Sequence, residues 1–407
     1  MINASKTKRH YENVRISSEN VSKRALLLHK KLVGKISVTN KIIVNSTTLP
    51  LIYTPGVASV SKEIFTHPQE AYHLTSKPNN VAIVTDGTRV LGLGKIGPSA
   101  AIPVMEGKAV LYKEFGRVDA FPLCLNTTKK EEIISTVKAV EPIFGAINLE
   151  DIESPKVFDI TLQLEKTLKI PVFHDDRHGT SVIVLAALIN ALKLVKKRLS
   201  SAKVVIAGAG SAGYGIFQLL HMAGCHGIIV VDSKGIIFKG RKQNMNKYKK
   251  EIAERSNKNQ EKGLLVDAIK NSDVLIGVTG KKDLITPVMI KTMKKDPIIF
   301  SLTNPEPEIK PEVATKAGAK IIATGSYLYP NTINNSVVFP YLMRAVLDLR
   351  IKRITLKLLS DAAYAISSSI SMRELEYTNI VPKVGNKKLQ KNISRSLKKY
   401  GTLKITH

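Results

Sequence analysis

The sequence predicts an α/β protein in which an N-terminal α/β domain precedes a second domain built on a doubly wound parallel sheet. In the second half of the chain, short apolar segments rich in β-branched residues alternate with probable helices. These strand-like segments open the stretch 202–224 and continue at residues 227–235, 273–280, 297–305 and 319–325. The chain has 407 residues, 43% of them hydrophobic and 23% charged, which suits a globular protein of two or three domains.

A glycine-rich turn in "AKVVIAGAGSAGYGIFQLLHMAG" indicates the type of the second domain. Gly208 permits a tight turn after the strand, Gly210 lets the backbone approach a pyrophosphate, and Gly213 lets the next helix pack closely on the sheet. The following strand ends in Asp232, about 20 residues beyond the glycines, where a carboxylate binds the adenosine ribose. The pattern predicts a Rossmann-type dinucleotide-binding domain, and the alternative is a structural turn that binds nothing. The expected cofactor-binding residues are Gly208, Gly210, Ser211, Ala212, Gly213 and Asp232.

Two pairs of carboxylates stand where strand-like segments of the first domain end. "NLEDIESP" contains Glu150 and Asp151, and "VFHDDRHGTS" contains Asp175 and Asp176. Hard oxygen ligands of this kind suit an octahedral Mg²⁺ or Mn²⁺ that keeps positions open for substrate and water. Helix capping is the alternative for either pair alone, but the two pairs together favour a metal site.

The other segments of the first domain fit an alternation of strands and helices. Residues 80–97 are expected to form a strand, a turn, a short second strand and a glycine-rich loop, and residues 105–125 a helix and a strand. Residues 131–168 are typical of a helix, a strand, an acidic loop and a helix. A long apolar helix is expected over residues 181–195, after Thr180 as its cap. The expected domains are residues 1–175, residues 176–345 and a basic helical tail, 346–407.

The formal net charge of +29 is the most unusual global property. A basic surface can bind nucleic acid phosphates or steer small dianionic substrates towards a cleft, and a lysine-rich composition alone is a third explanation. No helix-turn-helix, zinc or RRM-type signature accompanies the charge, so nucleic-acid binding is disfavoured. Cys124 and Cys225 lie far apart, which excludes a zinc-finger framework and a disulfide scaffold.

The sequence favours a cytoplasmic location and predicts no membrane span. Two isolated cysteines suit a reducing compartment, and no run approaches the roughly 18 apolar residues that a span requires. The start, "MINASKTKRHYENV", is polar and basic and lacks the apolar core of a secretory signal. An organellar transit peptide stays open as an alternative, because the first residues are basic and poor in acids.

Taken in order, the motifs of the chain resemble those of the malic enzymes, particularly the shorter prokaryotic form. The resemblance runs from about Leu26 to Leu349. Its motifs are "YTPGVA", "TDGTRVLGLGKIG", "MEGKAVLYKEFGRVDAFP", "NLEDIESP", "FHDDRHGTS", "GAGSAG", "LTNPEPEI" and "YPNTINNSVVFP". It implies a divalent-metal-dependent oxidative decarboxylation of L-malate to pyruvate and CO₂ with reduction of NAD or NADP. The alternatives are a malolactic enzyme or another 2-hydroxy-acid dehydrogenase of this architecture, and a basic nucleic-acid-binding protein on an old enzyme fold.

The resemblance also implies roles for individual residues. Lys108 would accept the hydroxyl proton of malate while hydride leaves C2, and Tyr53 would return a proton to C3 after decarboxylation. A lysine can act as a base near neutral pH only if burial or a neighbouring cation lowers its pKa. The implied metal ligands are Glu150, Asp151 and Asp176, with Asp175 as a neighbour that orients the site. The implied substrate-binding residues are Arg89, Asn304 and Asn335, of which Asn304 also contacts the cofactor.

These residues also have structural alternatives, and two positions depart from the family pattern. Lys108 could be a surface lysine and Tyr53 a core or interface aromatic, while Arg89 could form a surface salt bridge and the two asparagines could be turn residues. Arg177 replaces an uncharged residue beside the metal, where its charge could weaken cation binding or strengthen substrate binding. Tyr341 replaces the glycine of the usual Phe-Pro-Gly.

The choice between NAD and NADP depends on the loop after the second strand of the dinucleotide domain. The carboxylate of Asp232 favours the free 2′-hydroxyl of NAD, whereas Lys234 could pair with the extra phosphate of NADP. The expected partners are the small molecule L-malate and further copies of the chain, in a homo-oligomer of two or more subunits.

Overall fold

The computed structural model describes residues 18–402, and in this range the chain forms two β-sheets with helices packed around them. The strands are β1 (Asn80–Thr85), β2 (Asp119–Cys124), β3 (Ala146–Leu149), β4 (Val172–His174), β5 (Lys203–Ala207), β6 (Gly227–Asp232), β7 (Gly235–Ile236), β8 (Val274–Gly277), β9 (Ile298–Ser301) and β10 (Ile321–Thr324). The helices are α1 (Ser18–Leu32), α2 (Leu49–Ile52), α3 (Gly56–Thr66), α4 (Ala71–Leu74), α5 (Gly97–Gly116), α6 (Lys130–Val140), α7 (Lys156–Thr167), α8 (Asp175–Leu194), α9 (Ser211–Met222), α10 (Lys247–Arg255), α11 (Leu265–Ile269), α12 (Pro287–Lys291), α13 (Pro311–Lys316), α14 (Phe339–Asp348), α15 (Leu356–Ser367) and α16 (Lys388–Leu397). The first residues and the last five, to which some of the charge and targeting expectations refer, lie outside the described range. Of the described helices, none has the length and apolar character that crossing a bilayer requires.

The first sheet has the strand order β2-β1-β3-β4, and all of its strands run parallel. β1 and β3 are buried along their whole length, as expected for strands of a parallel sheet covered on both faces. In the pairing of β3 with β4, Leu149 lies opposite His174, so these two strands end level with each other. The two acidic pairs that follow the strands therefore leave the sheet side by side.

The second sheet has the strand order β10-β9-β8-β5-β6-β7, in which β7 alone is antiparallel to its neighbour. The chain runs outward from β5 to β6 and then crosses back to place β8 on the other side of β5. This confirms the doubly wound fold and creates a switch point between β5 and β8, where such sheets bind ligands. Gly208 follows β5 with a φ of 116°, and a side chain on it would lie 2.6 Å from the carbonyl oxygen of Val278.

Helix α8 joins the two sheets. It begins directly after β4, packs against α9 and α15, and is mostly buried. Asn190 donates from this helix to the carbonyls of Ser367 and Ile380 at 3.1 and 3.0 Å, which fastens the C-terminal segment to the core. In that segment, Leu389 and Ile393 of α16 are buried, so the basic residues of this helix lie on its outer face.

The expected second strand within residues 80–97 is wrong. β1 ends at Thr85, and the backbone then turns through Gly87 and Gly94 at positive φ, of 67° and 75°. Glycines in this conformation favour turns over a continued strand, and Val90 and Gly94 form only an isolated bridge.

The expected start of the long apolar helix is also wrong. The helix begins at Asp175, so Thr180 lies inside it instead of capping it. Asp175 and Asp176 occupy the first turn, where the positive end of the helix dipole stabilises carboxylates. Asp175 and Asp176 therefore begin the helix, and their side chains can also contribute to a site next to its N-terminus.

Residues 21–66, which we call the N-terminal arm, contrast with the rest of the chain because none of them is buried. Hydrogen bonds from Lys35 to Glu106 Oε2 and to Pro103 O, at 3.2 and 2.5 Å, connect the arm to α5. The arm nevertheless presents a large apolar surface that residues 18–402 leave exposed. Its exposed large apolar residues include Leu26, Leu27, Leu28, Leu32, Val33, Val38, Ile43, Leu51, Tyr53 and Phe65.

Candidate active site

Three carboxylates lie together at the carboxyl ends of β3 and β4. One oxygen from each of Glu150, Asp151 and Asp176 lies within 4.8 Å of the others, close enough for one ion to contact all three. The Asp151 amide donates to Asp176 Oδ2 at 3.0 Å and so holds the two strand ends together. Asp151 Oδ2 is buried and has no hydrogen-bond partner within the described part of the chain. A buried oxygen without a donor, in a set of hard oxygen ligands, fits a divalent cation such as Mg²⁺ or Mn²⁺.

Crowding of the carboxylates changes their affinity for protons. Burial and the charge of Asp176 raise the pKa of Asp151 to about 8. Burial and the neighbouring acids likewise raise the pKa of Glu150 well above its usual value. Burial also acts to raise the pKa of Asp176, but the nearby His174 imidazole, 3.7 Å from Asp176 Oδ2, and the charge of Lys108 outweigh it and lower that pKa. A cation bound to the cluster would therefore compete with protons at Glu150 and Asp151.

Lys108 reaches the acidic cluster from α5. Its Nζ donates to Asp175 Oδ2 at 2.5 Å, lies 3.0 Å from Glu150 Oε1 and stands 4.0 Å from the ring centre of Phe339. Burial acts to lower the pKa of Lys108, but the charges of Asp175 and Glu150 outweigh it and raise that pKa. The lowered pKa that a basic lysine requires is thus not supplied by the protein's own groups. A cation bound to Glu150 would offset one of the two charges that oppose it.

Asp175 is the main partner of Lys108, a closer involvement than the orienting role that the sequence suggested. Its Oδ2 accepts from Lys108 and also from Asn335 Nδ2, at 2.5 and 3.0 Å. A Cβ on Gly179 would lie only 2.0 Å from Asp175 Oδ1, so this carboxylate needs glycine one helical turn later. The glycine in "DDRHG" is therefore a sequence signal for the orientation of Asp175.

A cavity of about 420 Å³, which we call the acidic cavity, opens beside these groups. Phe339 and Leu111 are among its apolar lining. It combines carboxylates, a lysine, a guanidinium and amides, which are the groups that a small dicarboxylate and a divalent cation require. The sequence-predicted site residues that line it are Arg89, Lys108, Glu150, Asp151, Asp176, Ala212, Asn304 and Asn335.

A second cavity of about 640 Å³, the glycine-loop cavity, lies at the switch point of the second sheet. Arg89 and Val278 line both cavities, so the two adjoin. A Cβ on Gly213 would lie 1.9 Å from the carbonyl oxygen of Gly208, which is the close helix–strand approach expected for a dinucleotide-binding turn. Of the predicted cofactor residues, Gly208, Gly210 and Asp232 line this cavity, and Ser211, Ala212 and Gly213 form the first turn of α9.

Asp232 does not stand free in this cavity. Arg241 donates to its two oxygens at 2.9 and 2.6 Å, Lys249 donates at 2.7 Å and Asn244 at 3.1 Å. Burial acts to raise the pKa of Asp232, but the hydrogen bonds of Arg241 and Lys249 outweigh it and lower that pKa. Sequence reasoning missed these two cations, although both stand in the basic stretch that follows the strand.

The structure places Tyr53 away from the other predicted site residues. Tyr53 follows α2 in the N-terminal arm, is 69% exposed and lines neither of the two cavities. Lys108 and Tyr53, for which the resemblance implies the two proton transfers, are therefore not brought together within the described chain.

The two departures from the family pattern both face away from the acidic cluster. The Arg177 guanidinium lies 5.2 Å from the ring centre of Tyr214, between α8 and α9, and donates to Gln218. Tyr341 OH accepts from the Gly385 amide at 2.8 Å. Arg177 thus packs between helices, and Tyr341 holds the C-terminal segment.

A glycine-rich turn at the switch point of a doubly wound sheet, next to a cavity that joins a lysine to a cluster of three acids, indicates a dinucleotide-dependent oxidoreductase. Family models identify the family to which the chain belongs within this class of enzyme. The family model "Malic enzyme, N-terminal domain" matches residues 33–165, and "Malic enzyme, NAD binding domain" matches residues 178–400. The chain belongs to the malic enzyme family.

Individual relatives agree with this assignment. The chain is 47% identical over 376 residues to the bifunctional malic/malolactic enzyme of Bacillus subtilis, with 92% of each chain covered. It is 47% identical over 379 residues to the NAD-dependent malic enzyme of Geobacillus stearothermophilus, covering 93% of this chain and 78% of that one. The crystal structure of an NAD-dependent malic enzyme from Thermotoga maritima superposes with a TM-score of 0.88 at 44% identity, covering 92% of this chain and 98% of that one.

The raised pKa of Asp151 predicts a pH-dependent metal affinity. Below its pKa of about 8 this carboxyl keeps its proton, and a divalent cation must displace it in order to bind. We expect Mn²⁺, followed by calorimetry, to bind more tightly at about pH 8.5 than at about pH 6.5, with release of protons at the lower pH. The Asp151→Asn variant should bind weakly at both values, whereas Asp348→Asn, at an exposed carboxylate, should behave as the native protein. Equal Mn²⁺ affinity of the native protein at the two pH values would contradict this assignment.

Proposed function

We propose that the protein catalyses the oxidative decarboxylation of L-malate to pyruvate and CO₂, with reduction of NAD or NADP and dependence on Mg²⁺ or Mn²⁺. The observation that carries this proposal is the convergence of Lys108 and the three acids in a cavity that adjoins the glycine-loop cavity. Arg89 lines both cavities, and we propose that it contacts a substrate carboxylate. Membership of the malic enzyme family supports the same reaction.

Different groups would bind the metal and the substrate: three acids would hold the metal, and two amides would contact malate. Glu150, Asp151 and Asp176 would hold the cation, which when bound acts as a Lewis acid on the substrate oxygens. Asn304 and Asn335 line the same cavity and offer amide donors to the substrate carboxylates. The net charge of +29 favours the approach of a dianionic substrate.

Lys108 and Asp175 would move the hydroxyl proton as a pair. The Nζ of Lys108 would accept the proton of the C2 hydroxyl, and Asp175, already bonded to this Nζ, would stabilise the ammonium that results. A bound nicotinamide would supply the acceptor for the hydride of C2. Loss of CO₂ from the carboxylate on C3 then leaves an enol that needs a proton at C3. Tyr53 is our proposed donor of that proton.

The direct test is an assay of the native protein with malate, with NAD or NADP, and with or without Mn²⁺. We expect pyruvate and reduced cofactor to accumulate in equal amounts when Mn²⁺ is present. Lactate without net cofactor reduction would instead indicate a malolactic enzyme. This outcome is tested because the Bacillus subtilis relative is named a bifunctional malic/malolactic enzyme. Failure to form either product would refute the proposal.

For the cofactor we propose that NAD is used at least as well as NADP. Asp232 stands at the end of β6, the position at which a carboxylate favours the free 2′-hydroxyl of NAD. Arg241 and Lys249 neutralise this carboxylate and so lessen its repulsion of a 2′-phosphate, which supports some use of NADP. We also propose a cytoplasmic location, supported by two cysteines that are both free thiols.

Lys108→Ala should separate oxidation from decarboxylation. Malate oxidation should fall by about 10²–10⁴-fold, because the hydroxyl proton loses its acceptor. Oxaloacetate already carries the ketone, so its Mn²⁺-dependent conversion to pyruvate should be partly retained. Lys113→Ala is a matched control, since Lys113 lies on the same helix with its side chain 66% exposed. Malate oxidation at the native rate in Lys108→Ala would exclude Lys108 as the base.

We propose that the protein is a homo-oligomer in which the N-terminal arm packs on a second copy. The arm carries many exposed apolar residues, and hydrogen bonds of Lys35 connect it to α5. Tyr53 belongs to this arm and is absent from the lining of both cavities, so a role for it in catalysis requires that a second subunit receives it. The proposed active site then combines Lys108 of one subunit with Tyr53 of another.

Mixed oligomers test this arrangement. Lys108→Ala and Tyr53→Phe chains should each form little pyruvate from malate, but co-expression should restore activity. With random pairing of two-fold dimers, about a quarter of the native activity should return, because one site in each mixed dimer contains both intact residues. No recovery is expected if both residues act within one chain. A monomeric native protein in light scattering would also refute the arrangement.

A further inference from the structure

Glu308 is a buried carboxylate that the proposed mechanism does not use. It lies between β9 and α13 and is 0% exposed. Among the ion pairs of residues 18–402, none includes Glu308. A buried charge without a counter-ion persists only if hydrogen-bond donors surround it, and Glu308 has five.

The five donors belong to Thr279 in the loop after β8, to Ser301 at the end of β9 and to Thr303 in the loop after β9. Glu308 Oε1 accepts from the Thr279 amide at 2.9 Å, the Thr279 hydroxyl at 3.1 Å and the Thr303 hydroxyl at 2.6 Å. Glu308 Oε2 accepts from the Ser301 hydroxyl at 3.0 Å and the Thr303 amide at 3.2 Å. Each carboxylate oxygen therefore holds the backbone of one loop, Oε1 after β8 and Oε2 after β9.

These two loops form walls of both cavities. Thr279 lines the glycine-loop cavity, while Gly280 and Thr303 line the acidic cavity together with Asn304. The Thr303 hydroxyl accepts from the Gly280 amide at 2.9 Å, which extends the network into the cavity wall. The spacing of the loops therefore depends on a single carboxylate behind them.

The end of β8 is shaped to admit this carboxylate. A Cβ on Gly277 would lie 2.6 Å from the carboxyl carbon of Glu308, so a larger residue there would displace it. Glu308 and Gly277 thus fit each other at the carboxyl edge of the sheet, on the side of the switch point where a dinucleotide is expected.

We propose that Glu308 is a positioning residue that sets the spacing of the β8 and β9 loops and thereby the affinity for the dinucleotide cofactor. This inference rests on the proposed function in that it assigns a dinucleotide to the glycine-loop cavity. Glu308 touches neither substrate nor cofactor in this role, and acts through Thr279 and Thr303.

The geometry makes glutamine a disruptive replacement at this position. In the Glu308→Gln variant, one carboxylate oxygen is replaced by an NH₂ group, which donates and cannot accept. The hydroxyls of Ser301, Thr279 and Thr303 can rotate, but the backbone amides of Thr279 and Thr303 cannot. In the native protein each carboxylate oxygen accepts from one of these backbone amides. In either orientation of the glutamine side chain, its NH₂ group would therefore face a backbone N–H of one loop.

The test compares Glu308→Gln with Thr303→Val and Glu306→Gln in the full-length protein. Dissociation constants for NADH and NADPH are measured by fluorescence titration without malate, together with the melting temperature and the KM for each substrate. We expect Glu308→Gln to raise the dissociation constants about tenfold, and Thr303→Val, which loses the hydroxyl bridge but keeps its shape, to raise them several-fold. Glu306→Gln, at an exposed position in the same loop, should change nothing. The KM for cofactor should rise more than kcat falls.

Either of two results would overturn the proposal. One is native cofactor affinity in a folded Glu308→Gln protein. The other is native cofactor affinity in the Thr303→Val protein. If Glu308→Gln does not fold, the Thr303→Val result alone decides the question. Cofactor binding is measured without turnover, so a native protein that binds NADH but does not oxidise malate would refute the proposed function and leave this inference standing.

Discussion

The parallel pairing of β3 with β4 is the constraint on which the acidic site depends. Leu149 lies opposite His174, so Glu150–Asp151 and Asp175–Asp176 leave the sheet at the same level. A shift of one residue in this register would turn the side chains at one strand end to the opposite face. β1 and β3 are buried along their whole length, and such burial specifies the register of a sheet strongly.

The same pairing concentrates negative charge that the fold alone does not neutralise. Lys108 provides one positive charge for a group of four acids, and burial together with the neighbouring acids raises the pKa values of Glu150 and Asp151. Arg177, next to Asp176 in the chain, points away between helices and does not relieve this charge. A site with excess buried negative charge binds a divalent cation more strongly than a neutral one would, since the cation restores the balance.

Contiguous patterns made much of this architecture predictable, and contacts between distant residues account for what was missed. The glycines shape the turn in which they stand, and the acids directly follow β3 and β4 in the chain. Short sequence motifs therefore identify both groups. Contacts of Asp175 with Lys108 and of Asp232 with Arg241 depend on how elements pack, and no local pattern encodes that. Glu308 is the clearest case, because its partners belong to loops that only the assembled sheet brings together.

In the proposed function, geometry would couple the substrate to the cofactor, because the acidic cavity and the glycine-loop cavity share part of their walls. Arg89 and Val278 line both cavities, and the loop that contains Val278 continues into Thr279 and Gly280, which Glu308 and Thr303 hold from behind. A displacement of this loop would therefore change the fit of both ligands at once. Hydride transfer needs the two reacting carbons in contact, so a rigid common wall favours the reaction more than two independently optimised pockets would. The buried carboxylate behind that wall supplies such rigidity without occupying space in either cavity.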